Sequence, residues 1–173
     1  AQGFDMNVVN SQLDRLNWYT DETSYSFTNM VAEIAKFTAT GKGLEESVDA
    51  LMGIANWAAL SGQNASTASR AMYQLSQAMG SGLMRKEDYK SIQNVSMDTA
   101  EFRQKALDAG VALGTLKKNA DGTYTSLIEG AKASDFTISQ FADHLTQDAW
   151  FTSDVMMSVF RDYGNAIDDI YAY

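Results

Sequence analysis

The chain has 173 residues, 45% of them hydrophobic and 11% aromatic, enough apolar material to bury a core in one domain and too much for an intrinsically disordered chain. It holds no cysteine and 1 histidine, which excludes a disulfide framework, a thiolate zinc site and a cysteine nucleophile, and leaves only carboxylates to build a metal site. With 13 Lys and Arg against 22 Asp and Glu the net charge is -9, and the scattered basic residues, closest at Lys117-Lys118, argue against a nucleic-acid backbone as partner.

Proline is absent where average usage predicts roughly eight or nine, so the expected elements are helices punctuated by glycine. The opening residues, Ala1-Gln2-Gly3-Phe4-Asp5, lack the basic flank and apolar core of a signal peptide, and no apolar run is long enough to span a membrane. Because the first residue is not Met, the expectation is that residue 1 is a cut point in a longer chain.

From Thr23 to Thr38, Phe27, Met30, Val31, Ile34 and Phe37 recur at helical spacing and form one apolar face. A second helix starts at Leu44, with Glu45, Glu46 and Asp49 suited to its positive N-terminal end, and stops at Ser61-Gly62. Asn64 is placed to cap a third, carrying Ala65, Ala68, Met72, Leu75 and Met79 on one side and closed by Gly80-Ser81-Gly82. The short Ser61-Gly62-Gln63 connection predicts an antiparallel helix hairpin. A short helix follows over Lys86 to Gln93, then a longer one from an Asp98 N-cap to Ala109 with Gly110 as its stop. Residues Thr115 to Leu127 alternate around Asp121-Gly122, the pattern of a small β-hairpin. Helix returns with Ile138, Phe141, Ala142 and Leu145, and again from Val155 through Phe160, Tyr163, Ile167 and Ile170. The fold class expected is mainly α: a compact multi-helix domain over 1–173 with a central antiparallel helix hairpin and one small β-hairpin.

Chemistry-bearing patterns are few. His144 and Asp148 lie four residues apart and share a helical face, but acid–base work needs a pocket and a second positioned group, so a half-buried helix residue is the plainer reading. The pairs Glu45-Glu46, Glu87-Asp88 and Asp168-Asp169 diverge by about 100° on a helix and do not converge on one glycosidic bond. Thr40-Gly41-Lys42-Gly43 and Gly80-Ser81-Gly82 miss the phosphate-loop fingerprints, and a calcium loop aligned on Gly122 fails at Lys117 and Ile128. Asn64-Ala65-Ser66 and Asn94-Val95-Ser96 match a glycosylation acceptor without any secretion signal to support it. No catalytic, cofactor or metal residues are assigned. Methionines repack readily and aromatics anchor interfaces, so Trp18, Tyr19, Trp57, Met72, Tyr73, Met79, Trp150 and Phe151 are the candidate partner contacts, with core packing as the competing reading.

Three phrases go further: residues 18–30 (Trp18-Tyr19-Thr20 through Met30), residues 53–62 (Gly53-Ile54-Ala55-Asn56-Trp57 through Gly62) and residues 69–82 (Ser69-Arg70-Ala71-Met72-Tyr73 through Gly82). Their order and spacing, with Tyr89-Lys90-Ser91-Ile92, Thr99-Ala100-Glu101-Phe102-Arg103 and Trp150-Phe151-Thr152-Ser153-Asp154-Val155, resemble the tape measure domain of long-tailed bacteriophages and prophages over roughly residues 15 to 165. The resemblance implies a structural protein of the tail tube lumen or tip, made in the bacterial host cytoplasm. Such a protein sets tail length during assembly and takes part in genome ejection, through contacts with tube, tip or tail assembly chaperone proteins. It brings no catalytic residues, and members of that family are normally many times longer. A continuous helix of this length would span roughly 260 Å against a radius of gyration near 16 Å for a compact fold, and the glycine-stopped helices favour the compact form. The competing expectations are a peptidoglycan hydrolase module of a tail protein and a generic helical adaptor of the host; the oligomeric state is left open.

Overall fold

The structure is a computed structural model that describes residues 6–22, 38, 43–131 and 134–171, the side chains of residues 16–22, 65, 68 and 165–171 excepted. Among the described residues the order is α1 (Met6–Glu22), α2 (Leu44–Leu60), α3 (Ala65–Ser81), α4 (Lys86–Asn94), α5 (Ala100–Ala112), β1 (Leu116–Lys118), β2 (Tyr124–Ser126), a 3-10 helix (Ile138–His144) and α6 (Ser153–Tyr171). The helix expected over Thr23 to Thr38 lies outside the described residues, except for the buried, helical Thr38. Helix α1 was not anticipated from the sequence pattern.

Helix α2 is the centre. From Ser47 to Ala58 it is buried on every face, polar Ser47, Asp49 and Asn56 included, as expected of a helix with neighbours all round. Its buried polar groups find partners: Ser47 Oγ donates to the Gly43 carbonyl at 2.8 Å and Asn56 Nδ2 to the Tyr163 carbonyl at 3.0 Å. At Ser61-Gly62-Gln63 the chain reverses, Gly62 taking φ +80°, and Asn64 caps α3 by accepting from the Thr67 N–H at 2.9 Å. Leu75, Ala78 and Met79 of α3 are buried, so the expected antiparallel hairpin is present.

The pairing of α2 with α6 is closer still. A Cβ on Gly53 would overlap the Phe160 carbonyl oxygen, and one on Gly164 would overlap the Asp49 carbonyl oxygen. Glycine at both positions lets the two backbones touch.

Two boundaries differ from expectation. Thr99, not Asp98, caps α5, accepting from the Phe102 N–H at 3.1 Å, while Asp98 turns to Tyr89 and Arg103. Gly110 does not stop α5, which runs to Ala112; it makes room for Leu116 and Trp150, whose atoms lie 2.9 and 3.0 Å from where its Cβ would be.

In the β-hairpin Leu116 pairs with Ser126 and Lys118 with Tyr124, around the Asp121-Gly122 turn. Tyr124 also exchanges backbone hydrogen bonds with Phe136 at 2.8 and 3.0 Å, drawing the later chain onto the hairpin. The apolar positions of the following segment, Phe141 and Leu145, are buried as expected, on a 3-10 rather than an α turn. An aromatic run joins these parts: Trp57 stacks on Phe102 at 4.0 Å, and Phe141 meets the Trp150 edge at 5.5 Å.

Candidate functional site

The eight candidate contact residues separate cleanly. Trp57, Met72, Met79, Trp150 and Phe151 are at most 1% exposed. Their apolar surface is consumed by the core, so in the folded domain they pack and do not present themselves to a partner. The Trp57 indole N–H donates to the Met97 carbonyl at 2.9 Å and the Trp150 indole to the His144 carbonyl at 2.8 Å, which removes their polar handles from the surface as well. Tyr73 alone of those described faces solvent, with its hydroxyl accepting from Gln77 Nε2 at 2.9 Å. The side chains of Trp18 and Tyr19 lie outside the described residues.

His144 and Asp148 do meet, Nδ1 to Oδ2 at 2.9 Å, and Asp148 is buried. The imidazole lies flat on Phe136, centroids 4.7 Å apart. A ring clamped this way between a carboxylate and a phenyl face is a packing element that ties the 3-10 helix to the segment before α6. Of the paired carboxylates, Glu45 is exposed on α2, and Asp88 accepts the Arg85 N–H at 2.9 Å to start α4. The side chains of Asp168 and Asp169 lie outside the described residues.

Two charge networks escaped the sequence reading. In the first, Asp98 accepts from Arg103 at 2.7 Å through both Nε and Nη2, and also from the Tyr89 hydroxyl. Burial opposes the Asp98 charge, yet the hydrogen bonds from Arg103 and Tyr89 hold its carboxyl below the usual range. Burial and the same carboxylate push the Tyr89 hydroxyl up, and Asp98 raises the Arg103 guanidinium further still. Arg103 also donates to the Ile138 carbonyl at 2.9 Å and covers the Phe141 ring at 5.4 Å, so one guanidinium fastens α5 to the 3-10 helix. In the second, Asp49 of α2 accepts from Arg15 of α1 at 2.5 Å and from Arg161 of α6 at 3.4 Å. Both networks join residues from different elements, and no period along the chain marks such sets.

One open groove of about 800 Å³ lies between α5 and α6. Its α5 wall is Lys105, Asp108, Ala109 and Ala112, the i, i+3, i+4, i+7 stripe of that helix. Its α6 wall repeats the stripe with Asp154, Met157, Ser158 and Arg161, joined by Val159 and Asp162, and Glu46 of α2 and Leu113 complete the lining. Lys105 Nζ bridges the two walls to Asp162 at 2.5 Å. Of the large apolar side chains, Leu113 is 50% exposed there.

Among the described residues no group of three or more His, Asp or Glu is placed to hold a metal ion, and no helix is long and apolar enough to cross a membrane. Among the described residues the charged networks pin the domain's own elements together, and its surface offers a groove between α5 and α6. A family model described as tape measure protein matches residues 2–144, and the chain belongs to the tape measure protein family. The match takes in α1, which the resemblance over roughly 15 to 165 had left mostly aside, and it ends before Trp150. No curated protein and no solved structure matches the chain.

Proposed function

We propose that this domain is a folded structural module of a phage tail tape measure protein, resident in the tail tube lumen or tip. It acts through protein contacts in tail assembly and genome ejection, and is not the measuring shaft itself. The observation that carries this reading is α2, buried on every face within a chain of the tape measure family. A rod-like ruler exposes most of each helix, whereas burial on every face requires neighbours folded back around it.

The charge supports the same role. A domain of net charge -9 repels DNA in a shared lumen and leaves the path of the genome clear. Duplex DNA in a gel-shift assay at low ionic strength is expected to migrate unchanged in its presence; a salt-sensitive shift would count against residence beside the genome.

The deciding experiment removes the codons for residues 15 to 165 in frame from the encoding phage gene, with tail length measured by negative-stain electron microscopy beside infectivity. Unchanged length with lost assembly or infectivity is the expected result. Tails shorter by roughly 200 Å, the length the segment would supply at about 1.5 Å per residue, would make it part of the shaft.

A further inference from the structure

We propose that the groove between α5 and α6 is the docking site for a basic, amphipathic helical segment of a partner protein, an inference that rests on the reading of the domain as a contact module. Its shape argues for a helix. Two facing helical stripes, each of eight residues and about 10 Å long, about two turns of helix, border the trough, and the small Ala109 and Ala112 on one wall allow close approach. The half-exposed Leu113 supplies apolar contact, with the nearly buried Met157 in the lining behind it.

The charge argues for a basic occupant. Four carboxylates, Glu46, Asp108, Asp154 and Asp162, border the groove against two cations, Lys105 and Arg161. Both cations already engage carboxylates of this chain, Lys105 with Asp162 and Arg161 with Asp49. The groove therefore presents net negative charge around an apolar strip, which an Arg- or Lys-flanked apolar face complements. A second copy is disfavoured as occupant, because it brings a net charge of -9 to an acidic rim.

The test uses the 173-residue chain and a fluorescein-labelled 14-residue peptide of Leu and Lys, with Leu at helical a and d positions, read by fluorescence anisotropy beside a counterpart with Glu in place of Lys. The Lys peptide is expected to bind and the Glu peptide not to. Removing two groove charges, Glu46→Gln with Asp108→Asn, should weaken binding about 10-fold, and Leu113→Ser about 5-fold. Removing two charges elsewhere, Asp121→Asn with Glu129→Gln, should change it by less than about 2-fold. Hydrogen exchange on the unsubstituted chain should show protection by the peptide along α5 and α6, independently of whether any variant folds.

Equal weakening by the distant pair, a footprint elsewhere, or equal binding of the Glu peptide would overturn the proposal. So would concentration-dependent dimerisation in sedimentation that Leu113→Ser abolishes, since the occupant would then be a second copy. Failure of the Lys peptide to bind would overturn it too, and would leave the tail-length experiment to judge the contact-module reading separately.

Discussion

Helix α6 meets α2 and α5 through opposite kinds of surface. Toward α2 the contact is backbone on backbone, with Gly53 against Phe160 and Gly164 against Asp49, and Val155, Met156 and Phe160 of α6 are buried. Toward α5 the same helix shows Asp154, Ser158, Arg161 and Asp162 across an open groove, which Lys105 crosses to pair with Asp162 and cover the Tyr163 ring. The first seam has no room for a methyl group, while the second is an open groove of about 800 Å³. A tightly packed interior transmits every added or missing atom into stability, whereas a solvated charged surface absorbs it. One helix can thus hold the fold together on one side and face solvent across an open groove on the other.

The sharpest way to break this contrast is to add a single methyl group to the closed seam. Gly53→Ala or Gly164→Ala would gain helix propensity of about 1 kcal/mol, but the overlap with a facing carbonyl outweighs it. Each is expected to lower stability by about 3 kcal/mol or more, or to prevent folding, as read by urea unfolding followed by circular dichroism. A neutral result would mean that α2 and α6 sit farther apart than described.

Trp57→Ala comes next, at about 3–5 kcal/mol, because it removes the ring stacked on Phe102 and leaves the Met97 carbonyl without its donor. Trp57→Phe keeps most of the stack and should cost about half as much. Near-equal losses for the two variants would place the contribution in the hydrogen bond and not in the ring.

Asp98→Asn should cost about 2 kcal/mol at neutral pH, since the charge-assisted bonds from Arg103 are weakened. It should also change the acid limb of stability. The folded-state carboxyl lies below its ordinary value because hydrogen bonds to Arg103 and Tyr89 overcome the opposing effect of burial. The unfolded chain therefore binds more protons near pH 4 than the folded one. The contribution is complete above the ordinary carboxylate range and is lost as pH falls through the lowered value. A melting-temperature profile from pH 7 to pH 2 should fall less steeply in Asp98→Asn than in the parent. Parallel profiles would show that Asp98 does not couple to folding.

The smallest effects are expected on the open seam. Lys105→Met removes a half-exposed ion pair and should change stability by less than about 1 kcal/mol, and Leu113→Ser by less than about 0.5 kcal/mol. A loss comparable to that of the glycine variants would make the groove part of the core and abolish the contrast.

Much of the local structure could be read along the chain. The α2–α3 hairpin, α4 and the β-hairpin rest on neighbouring residues: Asn64 reaches the Thr67 amide three positions on, Asp88 reaches the Arg85 amide, and Gly122 supplies φ +86°. Where a residue had to answer to a distant partner, local rules misplaced it. Asp98 has the chemistry of an N-cap, but Thr99 takes that position and frees Asp98 for Arg103 and Tyr89. Gly110 has the composition of a helix stop, but its neighbours are Leu116 and Trp150. Trp57, Met72, Met79, Trp150 and Phe151 are as suitable for an interface as for a core, and only their burial distinguishes the two.

Composition, helical periodicity and capping residues determined by themselves that this chain is a helix-rich acidic domain, and its phrases carried the likeness to tape measure proteins. Those signals act within a turn or two of the backbone, or persist as residue identity, so they survive reading in one dimension. The tertiary structure alone decided which glycines are contact points, which aromatics are core, and that α5 and α6 leave a charged trough between them. Each of these depends on residues tens of positions apart, Gly53 on Phe160 or Lys105 on Asp162, whose distance is set by the packing of whole helices and by no local preference.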